Sequence, residues 1–123
     1  PVCGFSRSKY YPEYHTNKDD FKVVTEKGLQ DSFVIIKTII DAFELGLYPQ
    51  TRVLCEPNLG KRNLYPQISK KENYKDIDIK VRTDLIAYAN GKNNIFYISN
   101  LLNVPLSKIC KEYRLLKSKK VLK

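Results

Sequence analysis

No stretch of this 123-residue sequence approaches the ~18–20 consecutive apolar residues of a membrane-spanning helix, so no transmembrane segment is expected. No signal peptide is visible, and a chain that starts on Pro1 rather than Met reads as processed or as the C-terminal piece of a longer protein. Cysteine is scarce. Cys3, Cys55 and Cys110 are odd in number, far apart and without C-x-x-C spacing, which argues against a disulfide framework and a zinc knuckle and for reduced thiols in the cytoplasm. Nothing around them resembles a nucleophile turn, so a Cys-His hydrolase is not expected. Histidine is scarcer still, with His15 alone. P-loop, G-x-G-x-x-G turn, internal repeat and low-complexity tract are all missing.

What remains is a globular composition, 42% hydrophobic and 28% charged, long enough for one domain or for two small units sharing a core. The net charge of +9 is uneven: residues 1–62 carry nine Lys and Arg against eight Asp and Glu, and residues 63–123 carry thirteen against five. A basic half of this kind fits a nucleic-acid or membrane-surface module, and equally a lysine-rich solvated face.

Residues 1–24 read as a short extended segment and two turns, around Pro12 and at residues 17–20. The strongest helical pattern follows over residues 25–45, with Thr25 as N-cap, Glu26 in the first turn and Gly46 placed to end it. On its wheel Leu29, Phe33, Ile35, Ile36, Ile39, Ile40 and Phe43 fill one broad arc, opposite Glu26, Gln30, Lys37, Asp41 and Glu44. A stripe that wide calls for a large partner such as a sheet face, which 24 preceding residues cannot supply. The chain is therefore expected to be the tail of a larger α/β domain, or a homo-oligomer if it stands alone.

Residues 48–74 hold Pro49, Pro57, Pro66 and Gly60 but also Tyr48, Leu54, Leu59, Leu64 and Tyr65, too much apolar content for a free linker, so a packed connecting loop is expected. Three further helical patterns close the chain. Residues 79–90 place Val81, Leu85, Ile86, Tyr88 and Ala89 on one side and end at Gly91; residues 95–102 form a second helix or a strand running into one; residues 106–119 follow the turn at Asn103, Val104 and Pro105, with Leu106, Ile109, Cys110, Tyr113 and Leu116 on one face. That is a helix-turn-helix arrangement, with Val121 and Leu122 placed to add a wing strand beside residues 95–97. Lys108, Lys111 and Arg114 project opposite the apolar face of the last helix, where phosphate contacts would be made. Base edges are usually read by Arg, Asn and Gln rather than by a lysine-rich surface carrying Leu115, so nucleic acid is the less favoured partner.

Two stretches carry a family resemblance. "YYPEYHTNKDD", residues 10–20, is similar to the Y-P-E-Y-H-T-S-x-D-(D/N) segment of bacterial aminopeptidase-like proteins, and "CEPNLGKRNLYPQI", residues 55–68, to their (G/C)-E-P-x-L-G-K-R-x-L-Y-P segment. "YISNLLNVPLSKI", residues 97–109, stands where that family has its helix-turn-helix turn. These proteins join a peptidase domain of the two-zinc exopeptidase superfamily to a C-terminal winged helix. The resemblance implies an α+β, mostly helical chain: the C-terminal part of an α/β zinc-exopeptidase domain at residues 1–47, a packed loop at 48–74 and a winged helix-turn-helix domain at 75–123.

The resemblance further implies that His15 is a zinc ligand, Thr16 its supporting neighbour, and Asp19 or Asp20 a carboxylate orienting a ring nitrogen. Arg7 would hold a substrate carboxylate. Lys61 and Arg62 would do the same or pin their loop to Glu56, and Tyr11 and Tyr14 would pack in the site wall. The activity implied is hydrolysis of a peptide or aminoacyl substrate with two zinc ions and a general-base Glu. The family's other metal ligands and that Glu lie upstream of where this sequence begins. This chain is therefore expected to supply one ligand, to depend on the upstream part of its own domain, and to be inactive alone.

Overall fold

The computed structural model describes residues 2–6, 10–65 and 77–123, with only the backbone of Ile77. Its elements are α1 (Glu26–Leu45), a short 3-10 turn (Gly60–Arg62), α2 (Ile77–Tyr88), α3 (Ile95–Leu101) and α4 (Leu106–Ser118). The chain divides into two compact units, residues 1–39 and 40–123.

In the first unit residues 11–24 form turns, as expected around Pro12 and residues 17–20, and the described residues 2–6 belong to no named strand. The backbone closes on itself locally, from Tyr14 N–H to Tyr11 O through Val24 N–H to Asp20 O. Thr25 caps α1 as expected, its Oγ1 accepting from Gly28 N–H at 3.1 Å. The apolar arc of α1 lies in the open. Leu29, Phe33, Ile36, Ile40 and Phe43 are each exposed, Phe33 by 64%, and Ala42 is the one buried residue of this helix.

The second unit has a core of its own. α4 packs against both α2 and α3. Val81 and Leu85 from α2, Ile95 and Ile98 from α3, and Ile109, Cys110, Tyr113 and Leu116 from α4 meet in one buried cluster with Ala42. The apolar spacing of each helix produces that convergence. Asn94 caps α3, its side chain accepting from Tyr97 N–H. The tight turn into α4 is held by reciprocal bonds between Ser99 and Val104 and by Asn103 in the left-handed region. Leu115, expected on the solvent side, is half-buried against the core.

Two elements differ from expectation. α2 runs two residues earlier, ending at Tyr88, and Gly91 serves the following turn instead of capping the helix: at φ +77°, a Cβ there would meet Gln50 at 3.3 Å. The C-terminal pair does not lie beside residues 95–97, because residues 95–101 are helical and have no free backbone edge. Val121 and Leu122 instead join residues 50–52. Arg52 N–H donates to Val121 O at 3.0 Å and Lys123 N–H to Gln50 O at 2.8 Å, while on the other side Thr51 N–H donates to Ala89 O and Gly91 N–H to Pro49 O, both at 2.9 Å. Gln50 and Thr51 are thus the middle of a minimal three-piece sheet. Among the described residues, β-pairing is confined to the two isolated bridges Gln50 to Asn90 and Thr51 to Leu122, so the strands of an α/β domain are not found.

The reversal that delivers Val121 follows α4 directly. Lys120 sits at φ +57°, its N–H donates to Lys117 O, and Val121 N–H donates to Leu116 O, the paired bonds of a Schellman ending with lysine in the place glycine usually takes.

Candidate functional site

The loop holding His15 is built by its neighbours. Thr16 closes it from behind: its N–H and Oγ1 both reach Glu13 O, at 3.0 and 2.7 Å, and Oγ1 accepts from Lys18 N–H. Tyr11 donates its phenol to Asp19 Oδ2 at 2.8 Å, and this hydrogen bond, with the carboxylate charge beside it, raises the Tyr11 pKa above its ordinary value. His15 itself has φ +61°, a conformation a non-glycine residue adopts at some cost, and its ring is exposed with the Tyr14 ring 4.0 Å away. The Tyr11 and Tyr14 rings meet edge-on at 5.5 Å.

Of the residues the resemblance assigns, His15, Thr16 and Asp19 thus share one hydrogen-bonded loop. Neither carboxylate is bonded to the histidine: Asp19 takes the Tyr11 phenol, and Asp20 Oδ1 accepts from Lys22 N–H. Arg7 lies outside the described residues. Among the described residues, no group of three or more His, Cys, Asp or Glu side chains is arranged to hold a metal ion.

In the second unit the basic side of α4 is largely committed. Lys108 pairs with Asp78 of α2 at 2.6 Å, and its ammonium holds that carboxyl below the ordinary carboxylate range. Arg114 pairs with Asp41 at 3.5 Å. Lys117 donates to Leu45 O at 2.7 Å, placing a positive charge on the C-terminal carbonyls of α1, whose own last turn has no basic residue. Lys111 is exposed. Burial pushes the Cys110 thiol pKa up, which disfavours the thiolate form.

Residues 55–64 are structural at their C-terminal end. Pro57, Leu59 and Leu64 are buried, and Arg62 and the Lys61 backbone bond to Asn58 instead of Glu56. Arg82 of α2 ties this loop to α4: its Nε donates to Glu112 Oε2 at 2.8 Å and its Nη1 to Leu64 O. Sequence reading missed this pair, although Glu112 sits among the apolar positions Ile109, Tyr113 and Leu116. A charge inside an apolar stripe is the signal that points to a buried partner.

Residues 46–123, more than half of the chain, match the model of the winged helix-turn-helix family. The chain belongs to that family. In a winged helix the second helix of the turn motif is the one that enters a groove of DNA when DNA is bound, and here that helix is α4. Residues 1–46 match a domain of unknown function (DUF4910). A Clostridium acetobutylicum protein, named provisionally for polysaccharide biosynthesis with an aminopeptidase-like domain, is 31% identical over 105 residues, 80% of this chain. The winged-helix chain spans 23% of that relative's length. No solved structure matches the chain. No helix among the described residues is long and apolar enough to cross a membrane.

Proposed function

We propose that this chain is the C-terminal part of an aminopeptidase-like zinc hydrolase acting on peptide or aminoacyl substrates, with His15 as one metal ligand and the winged helix as an appended domain. The observation that carries this reading is the presentation of His15: an exposed imidazole at a left-handed backbone position, backed by the Thr16 turn and the Tyr11 bond to Asp19. Such a strained, exposed position suits a ligand better than a packing residue. The described residues do not fit a zinc ion by themselves, because a catalytic zinc takes three protein ligands and no three His, Cys, Asp or Glu side chains gather among them. In this reading the other ligands and the general base come from the remainder of the longer protein. Its sheet would also cover the exposed arc of α1.

The test is metal content. The complete protein should bind about two zinc ions, and His15→Ala should weaken zinc binding by at least about 100-fold, more than the loss of an outer-shell partner causes, with hydrolysis of aminoacyl anilides lost and circular dichroism unchanged. Full zinc content and activity in His15→Ala would remove the ligand assignment.

A second reading, a nucleic-acid-binding module, is favoured by the exposure of Lys111 on α4 with Lys119 and Lys120 beyond it. It predicts duplex DNA binding whose log–log salt slope falls by about one on Lys111→Gln. No gel shift at low salt would dismiss it. The ion pairs already made by Lys108 and Arg114 count against it.

A further inference from the structure

The segment at residues 55–64, singled out by its wording, does more than pack. Its N-terminal end forms a groove of about 510 Å³ against α2, lined by Leu54, Cys55, Glu56 and Leu59 on one side and by Asp84 and Ile86, among others, on the other. Among the described residues, neither lysine nor arginine lines it. The described part of residues 46–123 has four Asp and Glu side chains. Asp78 is paired with Lys108 and Glu112 with Arg82. Among the described residues Glu56 and Asp84 are in no ion pair, and both line this groove. In residues 46–123, which carry sixteen Lys and Arg against six Asp and Glu, two carboxylates on one groove whose described lining holds no cation form a local field of opposite sign to the rest of the domain. Leu54, wholly exposed, and Val53 form an apolar lip beside them, and Leu59, Ile86 and Ala89 supply an apolar floor.

We propose that this groove binds a short peptide segment carrying a lysine or arginine next to an apolar side chain. Glu56 and Asp84 take the cation, and the Leu54 lip and the floor take its apolar neighbour. The volume lies within the ~300–1,000 Å³ of ligand pockets, enough for a few residues. A point charge alone would gain little at so open a site, so the apolar neighbour is part of the recognition. The proposal stands independently of the zinc reading, since every residue it uses lies in residues 51–90.

Cys55 reports on the groove directly. Cys3 and Cys55 are exposed and Cys110 is buried, so in the Cys3→Ser form of this 123-residue chain Cys55 is the reactive thiol. Saturating acetyl-Leu-Lys-Leu-amide at low salt should slow its alkylation about tenfold, the effect of roughly 90% occupancy, while acetyl-Leu-Glu-Leu-amide should not. The ratio of rates with and without peptide should return to one in Glu56→Gln/Asp84→Asn, with circular dichroism unchanged. Equal protection by the glutamate peptide, equal protection by lysine amide alone, or no protection by either peptide would overturn the proposal.

Discussion

Replacing Glu112 with alanine should cost about 3–5 kcal/mol, because it strands a largely covered guanidinium without its buried counter-charge. The Glu112 side chain is 3% exposed and that of Arg82 12%, so little water is available to take over when the partner goes. Arg82 cannot swing out without releasing Leu64 O, the carbonyl its other nitrogen holds, and that release would leave a loop acceptor unmatched. One pair therefore joins α2, α4 and the loop at residues 55–64. The loss would take a large share of the ~5–15 kcal/mol of a typical domain. Urea unfolding of the full chain checks it as a fall in midpoint at constant slope. Arg82→Met/Glu112→Leu should recover part of the loss, leaving about 1–3 kcal/mol for the unmet Leu64 carbonyl. A Glu112→Ala loss under about 1 kcal/mol would show that the pair behaves like a surface one.

Leu59→Ala should cost about 2–5 kcal/mol, the range for emptying a fully buried leucine site. Leu59 is 1% exposed and sits in the same cluster as Leu85, Ile109 and Leu116, although it lies outside every α-helix of the domain. The 3-10 turn that follows fixes it there: Arg62 N–H and Leu64 N–H both donate to Leu59 O, and Asn63 takes φ +54° to bring Leu64 back into the core. Leu54, five residues earlier and wholly exposed, is the internal comparison, with Leu54→Ala expected within about 0.5 kcal/mol of the parent. Equal midpoints for the two variants would mean the loop is not part of the folding unit.

These two residues mark where sequence reading succeeded and where it stopped. The apolar content at residues 48–65 is legible as a packed loop because Leu59 and Leu64 have no reason to lie in a solvated linker. The partner of that loop was not legible, since nothing local links Leu64 to Arg82, 18 residues on. The turn around His15 shows the same division. Its local chemistry, Pro12 and Thr16 with short polar neighbours, marks a turn, but the bond from Tyr11 to Asp19 across eight residues was not legible.

By itself the sequence determined the positions of α1 and α4 to within a residue or two, the Thr25 cap, the apolar arc of α1 and the helix-turn-helix order, while leaving residues 95–102 open between helix and strand. All of these follow from side-chain periodicity and turn chemistry over a few consecutive residues. Only the tertiary structure decided that Val121 and Leu122 pair with residues 50–52, that Arg82 meets the buried Glu112, and that Glu56 and Asp84 line one groove. Backbone pairing uses N–H and C=O groups that every residue but proline carries, so its partners leave no signature in side-chain pattern. Charges become paired or unpaired only when distant segments are brought within a few ångströms of one another.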